Sequence, residues 1–510
     1  MKESLFATIR ARIADGNRVA VRTAAGASVT YGDLLEASGR YASALVALGV
    51  RPGDRVAVQV EKSLSTLMLY LGALRAGAVY LPLNTGYTAA ELSYFLGDAE
   101  ARLLVCDPGR YEALAAVAAE AGVGRVETLD AAGHGSIYDR AMAAPPEFED
   151  VPRGADDLAA ILYTSGTTGR SKGAMLSHGN LASNALALCE AWRITGDDVL
   201  LHALPVFHTH GLFVAINTTL LAGASMIFLP RFDADLVVEL LPRATTMMGV
   251  PTFYSRLLAH PAFDRALVAH MRLFVSGSAP LSAEVHKAFQ ARTGHAILER
   301  YGMTETNMNT SNPYEGERRP GTVGMPLPGV ELRIADPESG RILAQGEVGV
   351  IEVRGPNVFL GYWRMPEKTA AEFRADGFFI TGDMGLIDAQ GYVAIVGRDK
   401  DLIITGGFNV YPAEVEAEID ALPGVRESAV IGAPHPDFGE GVTAVIAPDT
   451  GAEIDESGVR RALEHHLAKF KVPKRVLFVD QLPRNTMGKI QKNALRDTYR
   501  DIYALPGSDR

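Results

Sequence analysis

The chain is 510 residues long, more than one hydrophobic core supports, so two to four domains are expected. Its 47% hydrophobic and 21% charged residues are those of an ordinary soluble globular protein. Forty-nine basic against 60 acidic residues leave a net charge of −11, and no long basic run appears, which excludes general nucleic-acid affinity.

Two cysteines, Cys106 and Cys189, match no metal spacing and read as buried thiols of a reduced compartment. The first ten residues mix charge through a short amphipathic helix and lack the apolar centre of a signal peptide. The longest apolar stretch, 64–80, is interrupted by Arg75 and glycines, so no membrane span is expected and cytoplasm is the default.

Taken in order, Thr30 is positioned to cap a helix whose apolar residues recur through Tyr41, Leu45 and Leu48. Arg55-Val-Ala-Val-Gln-Val60 predicts a strand, 64–76 a helix, Val79-Tyr-Leu-Pro-Leu83 a strand, 89–97 a helix and 101–106 a strand. This alternation predicts an α/β fold around a parallel sheet. Residues 128–156, with Ala-Ala-Gly-His-Gly and Ala-Ala-Pro-Pro, read as an irregular connection.

Leu158-Ala-Ala-Ile-Leu162 then reads as a buried strand entering Tyr163-Thr-Ser-Gly-Thr-Thr-Gly-Arg-Ser-Lys172-Gly173. Gly166 and Gly169 can take positive φ and turn N–H groups toward an anion, and Thr164, Ser165, Thr167, Thr168, Arg170 and Lys172 add donors. This is the chemistry of a polyphosphate cradle. It is not a Walker loop, because Lys172 is followed by Gly173 rather than Ser or Thr, and a conventional P-loop kinase is thereby excluded.

A helix over 180–192, a strand over 199–204 and further alternation carry the pattern to about residue 298. From 321 to 398 short strands and frequent turns predict a β-rich subdomain. Residues 399–510, after the charged turn at Arg398, form a unit long enough to be a separate α+β domain, which bounds the N-terminal domain at 1–398.

Six further stretches follow the cradle: Tyr301-Gly-Met-Thr-Glu305, Gly355-Pro-Asn-Val-Phe-Leu-Gly-Tyr362, Thr381-Gly-Asp383, Gly397-Arg398-Asp-Lys400, Gly406-Gly-Phe-Asn-Val-Tyr-Pro412 and Pro483-Arg-Asn-Thr-Met-Gly-Lys489. In this order they resemble the AMP-forming adenylating enzymes, which include acyl-CoA synthetases, peptide-synthetase adenylation domains and luciferases. The resemblance runs over nearly the whole chain. It implies a large N-terminal domain, a small mobile C-terminal domain, and an acid–thiol ligase working through an acyl-adenylate.

The resemblance also implies roles for matching positions. Thr164, Ser165, Gly166, Thr167, Thr168, Gly169 and Lys172 would hold the β- and γ-phosphates of ATP. Thr304 would donate to the α-phosphate, and Glu305 would ligate Mg²⁺. Ser276, Gly277, Ser278, Tyr301 and Gly302 would flank adenine, Asp383 would accept from both ribose hydroxyls, and Arg398 would contact ribose or phosphate. Lys489 would touch the substrate carboxylate and α-phosphate during adenylate formation. A hinge is expected at Lys400, with Gly406 and Gly407 lining the thiol tunnel in a second pose. Acetylation of Lys489 would remove the charge it needs, making a lysine acetyltransferase a conceivable partner.

The acid is read from Leu298-Glu-Arg-Tyr-Gly-Met-Thr-Glu-Thr-Asn-Met-Asn-Thr-Ser-Asn-Pro313, which resembles the malonate-activating members of the family. A buried arginine is costly unless it meets an anion, and a second carboxylate supplies one to Arg300. Pairing of Arg300 with Glu299 is the alternative. Arg256 and His208 are further candidates for the acid wall, whereas His210 reads as structural. The expected substrates are malonate, with methylmalonate tolerated, ATP and free CoA. Basic residues Arg460, Arg461, Lys469, Lys471 and Lys474 could meet CoA phosphates. A short monocarboxylate ligase, a carrier-loading adenylation enzyme and a non-catalytic nucleotide sensor are the alternatives.

Overall fold

The computed structural model describes residues 3–164, 171–398, 401–405, 408–467, 469–485 and 488–503. Two large sheets build the N-terminal part. The seven-stranded sheet has Arg55–Gln59 between Val79–Pro82 and Leu103–Cys106, all parallel, as the alternating helices and strands predict. The nine-stranded sheet runs Thr246–Gly249 between Leu273–Ser276 and Val199–His202, also parallel.

Thr30 caps its helix as expected, in a capping box with Asp33. The apolar stretch near residue 64 is the helix Leu64–Arg75, buried on every side after Ser65. Such a helix belongs inside a core rather than across a bilayer. Arg75 is buried at its end, where its Nε reaches Asp150 at 2.6 Å. Among the described residues no helix is long and apolar enough to cross a membrane.

Two local readings are corrected. The 128–156 connection contains a helix, Ser136–Ala143, whose short amphipathic pattern is masked by the flanking glycines and prolines. The cradle stretch is also followed by a strand, Lys172–Ser177, paired antiparallel with Leu158–Thr164.

The β-rich subdomain is a four-stranded antiparallel sheet of Glu331–Ala335, Gly349–Arg354, Phe379–Ile387 and Val393–Arg398. Beyond it, a five-stranded sheet with its own apolar core, including Ile403, Val415, Val430 and Ile446, forms the C-terminal α+β unit.

Candidate active site

The strand before the cradle ends at Thr164, and the described chain resumes at Ser171. Ser165, Gly166, Thr167, Thr168 and Gly169, together with the hinge Lys400 and the glycines Gly406 and Gly407, lie outside the described residues. At the resumed strand, Lys172 pairs with Glu372 at 3.2 Å and stands 4.0 Å from the centroid of the Tyr362 ring. The Tyr362 hydroxyl lies between Glu372, at 2.6 Å, and Glu305, at 3.0 Å. Burial raises the Glu305 carboxyl above its ordinary value, with Tyr362 and Lys172 opposing the shift. Tyr362 and Glu372 had no role in the sequence reading. Tyr362 closes a recognised motif, but nothing in the sequence points to Glu372.

Tyr301, Gly302 and Met303 end the strand Leu298–Met303, which turns back antiparallel into Asn307–Ser311. A side chain at Gly302 would stand 1.8 Å from the Asn307 carbonyl oxygen, so this crossing needs glycine. The hairpin holds Thr304 half-buried and Glu305 buried at its tip. The Tyr301 hydroxyl donates to Asp383 Oδ2 at 2.6 Å. Asp383 Oδ1 pairs with Arg398 Nε at 2.9 Å, directly across the Phe379–Ile387/Val393–Arg398 ladder. Asp383 in turn raises the Arg398 guanidinium above its ordinary value.

On the same strand Glu299 and Arg300 are both buried, but successive strand residues point to opposite faces. Glu299 Oε1 accepts from the Leu281 N–H at 3.0 Å, and burial raises its carboxyl to about 8, leaving it neutral at pH 7. Arg300 lies against Gly277, where a Cβ would stand 2.2 Å from its Cζ. Burial lowers the guanidinium to about 9, still cationic at neutral pH. Its Nε and Nη2 are buried and without protein partners. These two atoms form one edge of the guanidinium fork, the edge that grips a carboxylate side-on.

Ser276 is buried with its hydroxyl unpartnered, and Ser278 holds φ of 72° while its Oγ meets His210 Nδ1 at 3.1 Å. His208 is half-buried; burial, then Arg300 and Lys489, lower its imidazole to about 4. His210 is buried and held neutral by burial and by Arg300, with its Nε2 unpartnered.

Lys489 arrives from the C-terminal unit. Its side chain is accessible to solvent but has protein on most sides, and burial, then Arg398, lower the ammonium from its ordinary value. The neighbouring Gly488 stands close to Thr252 of the N-terminal part, 3.8 Å from an added Cβ. Its hairpin is fastened to its own domain by Lys492–Glu416, at 2.6 Å, and by Arg484–Glu427.

The expectation for Arg256 is corrected. Helix Pro251–Ala259 turns Tyr254 and Leu257 inward, and Arg256 is left exposed, lining a surface cleft with Phe232, Asp233 and His260. The structure does not bring it to Arg300. Among the basic candidates for CoA, Lys471 is committed to Glu414 at 2.5 Å, Lys474 lies over the Phe438 ring, Lys469 and Arg461 are exposed, and Arg460 keeps a buried Nε without a partner.

The chain that brings together the Asp383–Arg398 pair, Glu305 and Lys489 is similar to known proteins. The ATP-bound MatB of Rhodopseudomonas palustris is 63% identical, with 99% of this chain and 100% of that one covered and a TM-score of 0.97. Its apo form, over the same coverage, gives 0.86. A feruloyl-CoA synthase from Amycolatopsis is 40% identical, covering 92% of this chain and 94% of its own. The mitochondrial malonate–CoA ligase of Mus musculus is 36% identical, covering 95% and 89%. The AMP-binding enzyme model matches residues 10–363, and the model of that enzyme's C-terminal domain matches 414–489. With both models matched in order on the two parts that meet at Asp383, Arg398 and Lys489, the chain belongs to the AMP-binding enzyme family.

Proposed function

We propose that this protein ligates malonate to CoA at the expense of ATP, through a malonyl-adenylate. The observation that carries the reading is the Nε/Nη2 edge of Arg300, buried, cationic and without a protein hydrogen-bond partner. Burying such a cation is strongly unfavourable unless an anion meets it, and the second carboxylate of a dicarboxylic acid has the matching geometry. A ferulate-like or fatty acid would bring no anion to this edge. The relatives alone do not choose, since feruloyl and malonate ligases both stand among them.

In the first half-reaction one malonate carboxylate oxygen attacks the α-phosphorus of ATP, and pyrophosphate leaves. Asp383 accepts from the ribose hydroxyls, with Tyr301 and Arg398 fixing its carboxylate. Thr304 donates to the α-phosphate, and Lys489 neutralises the charge that develops between the two substrates. Lys172 steers the leaving pyrophosphate, exchanging Glu372 for phosphate oxygens. A single buried carboxylate, Glu305, suits Mg²⁺, which takes few protein ligands beside phosphates. When bound, the ion neutralises charge on the leaving pyrophosphate.

In the second half-reaction the CoA thiolate attacks the malonyl carbonyl and AMP departs with the original carboxylate oxygen. The C-terminal unit swings about Lys400 to bring Gly406 and Gly407 to the tunnel. Ile404 and Phe408, which flank these glycines, are 53% and 55% exposed, as expected of a face that docks in another pose. The test is CoA-dependent AMP release across malonate, methylmalonate, propionate and ferulate. Malonate should lead in kcat/KM, and a lead for ferulate or propionate would overturn the reading.

A further inference from the structure

A buried lysine lies outside the chemistry above, and burial lowers its ammonium well below the ordinary value. Lys62 follows the strand Arg55–Gln59 of the seven-stranded sheet and is 5% exposed. Its Nζ donates to His202 Nδ1 at 2.7 Å, to the His202 carbonyl at 2.9 Å and to the Leu204 carbonyl at 3.0 Å. The Phe228 ring lies 4.2 Å away. All three ammonium protons therefore have partners, and none of these is a carboxylate. A lysine buried against neutral acceptors is an expensive way to join two sheets, because its desolvation is not offset by an opposite charge.

His202 ends the strand Val199–His202 of the nine-stranded sheet, so Lys62 bridges the two sheets. Because the Gly211 carbonyl can only accept, His202 Nε2, 2.8 Å from it, carries the ring proton, which leaves Nδ1 to accept from Lys62. Leu204 and Gly211 are the two ends of the turn that carries His208, Thr209 and His210. A Cβ on Gly211 would stand 1.9 Å from the Pro205 carbonyl oxygen, so the turn closes tightly on itself. It continues into a π-helix, His210–Ile216, a rare form that is frequent at functional sites. At its tip His210 meets Ser278, whose neighbour Gly277 backs the Arg300 guanidinium.

We infer that Lys62 and His202 are positioning residues that clamp both ends of the 204–211 turn and so set the wall of the acid pocket opposite Arg300. The inference deepens the malonate reading, on which it rests. The ribose acceptor and the hairpin carboxylate lie on other strands, so the clamp reaches the nucleotide only through the His210–Ser278 contact beside the expected adenine site.

The test is Lys62→Met, with His202→Phe as the second variant in case the first does not accumulate folded. Each is assayed for malonate-dependent ATP–pyrophosphate exchange beside its circular dichroism spectrum. A displaced wall should raise the malonate KM about tenfold or more, within the roughly 10²-fold that a 1 Å misplacement can cost, while the ATP KM rises much less. Because both residues act through one turn, the double variant should lose no more than the worse single one. A folded variant with unchanged malonate KM, a parallel rise in both KM values, or additive losses would overturn the inference. If the wild-type enzyme prefers another acid, the malonate reading fails by itself, and the clamp is judged by the same criterion on that acid's KM.

Discussion

Arg300→Leu is the substitution that separates a dicarboxylate site from a monocarboxylate site. In the wild type the free Nε/Nη2 edge can give two charge-assisted hydrogen bonds to the second carboxylate of malonate. Such bonds contribute about 1.5–3 kcal/mol each, and leaving one partner of a buried charge pair alone costs about 2–5 kcal/mol. A loss of about 3–5 kcal/mol, at 1.36 kcal/mol per tenfold, is two to four orders of magnitude in kcat/KM for malonate. Propionate brings no second charge, so binding it leaves the wild-type guanidinium buried and unpaired. Leucine removes that cost, and propionate turnover should hold or rise. The assay is CoA-dependent AMP release with each acid over a range of concentrations, beside the thermal midpoint of each protein. An Arg300→Leu enzyme that folds and still prefers malonate would refute the argument, whatever its absolute rate.

Three other outcomes are expected. Lys489→Ala should cut adenylate formation by about 10²–10³, the usual cost of one transition-state donor, while thioester formation from synthetic malonyl-adenylate persists; equal loss in both assays would contradict the two-pose mechanism. Asp383→Asn should raise the ATP KM by about tenfold or more, as one weakened charge-assisted contact predicts, and leave the malonate KM alone. Glu299→Gln tests a pH dependence: the folded protein keeps the Glu299 proton up to about pH 8, whereas an unfolded glutamate loses it near 4.5. Folding therefore takes up a proton between these values, and stability falls as pH rises through that window. The neutral amide should flatten the fall in thermal midpoint between pH 5 and 8, and an unchanged profile would show that Glu299 does not cause it.

The fold was legible wherever hydrophobic period and capping agreed, as in the helix that starts after Thr30 and the strand at Arg55. Lys172–Ser177 was harder, because a six-residue strand after a polar loop has too few alternating residues to announce itself. In the site, Glu305, Asp383 and Lys489 stand in ordered motifs that name them. Glu372, by contrast, acquires its place only through Lys172, 200 positions away in the chain. The Lys62–His202 contact likewise spans 140 positions and joins two sheets, so local sequence carries no trace of it. Arg256 shows the converse: its motif suggested the acid wall, but the helical phase of Tyr254 and Leu257 turns it to solvent. For Arg300 the sequence left open an ion pair with Glu299. The two residues alternate along the strand, and Glu299 Oε1 is taken by the Leu281 N–H, with no hydrogen bond between the pair.

The most direct test of malonate activation through an adenylate is the fate of one oxygen atom. Malonate labelled with ¹⁸O in its carboxylates is supplied with ATP, Mg²⁺ and CoA, beside equimolar unlabelled propionate and ferulate, and the products are read by mass spectrometry. Attack of the malonate oxygen on the α-phosphorus predicts malonyl-CoA together with AMP that carries one ¹⁸O. Unlabelled AMP with propionyl-CoA or feruloyl-CoA, or label appearing in orthophosphate, would contradict it.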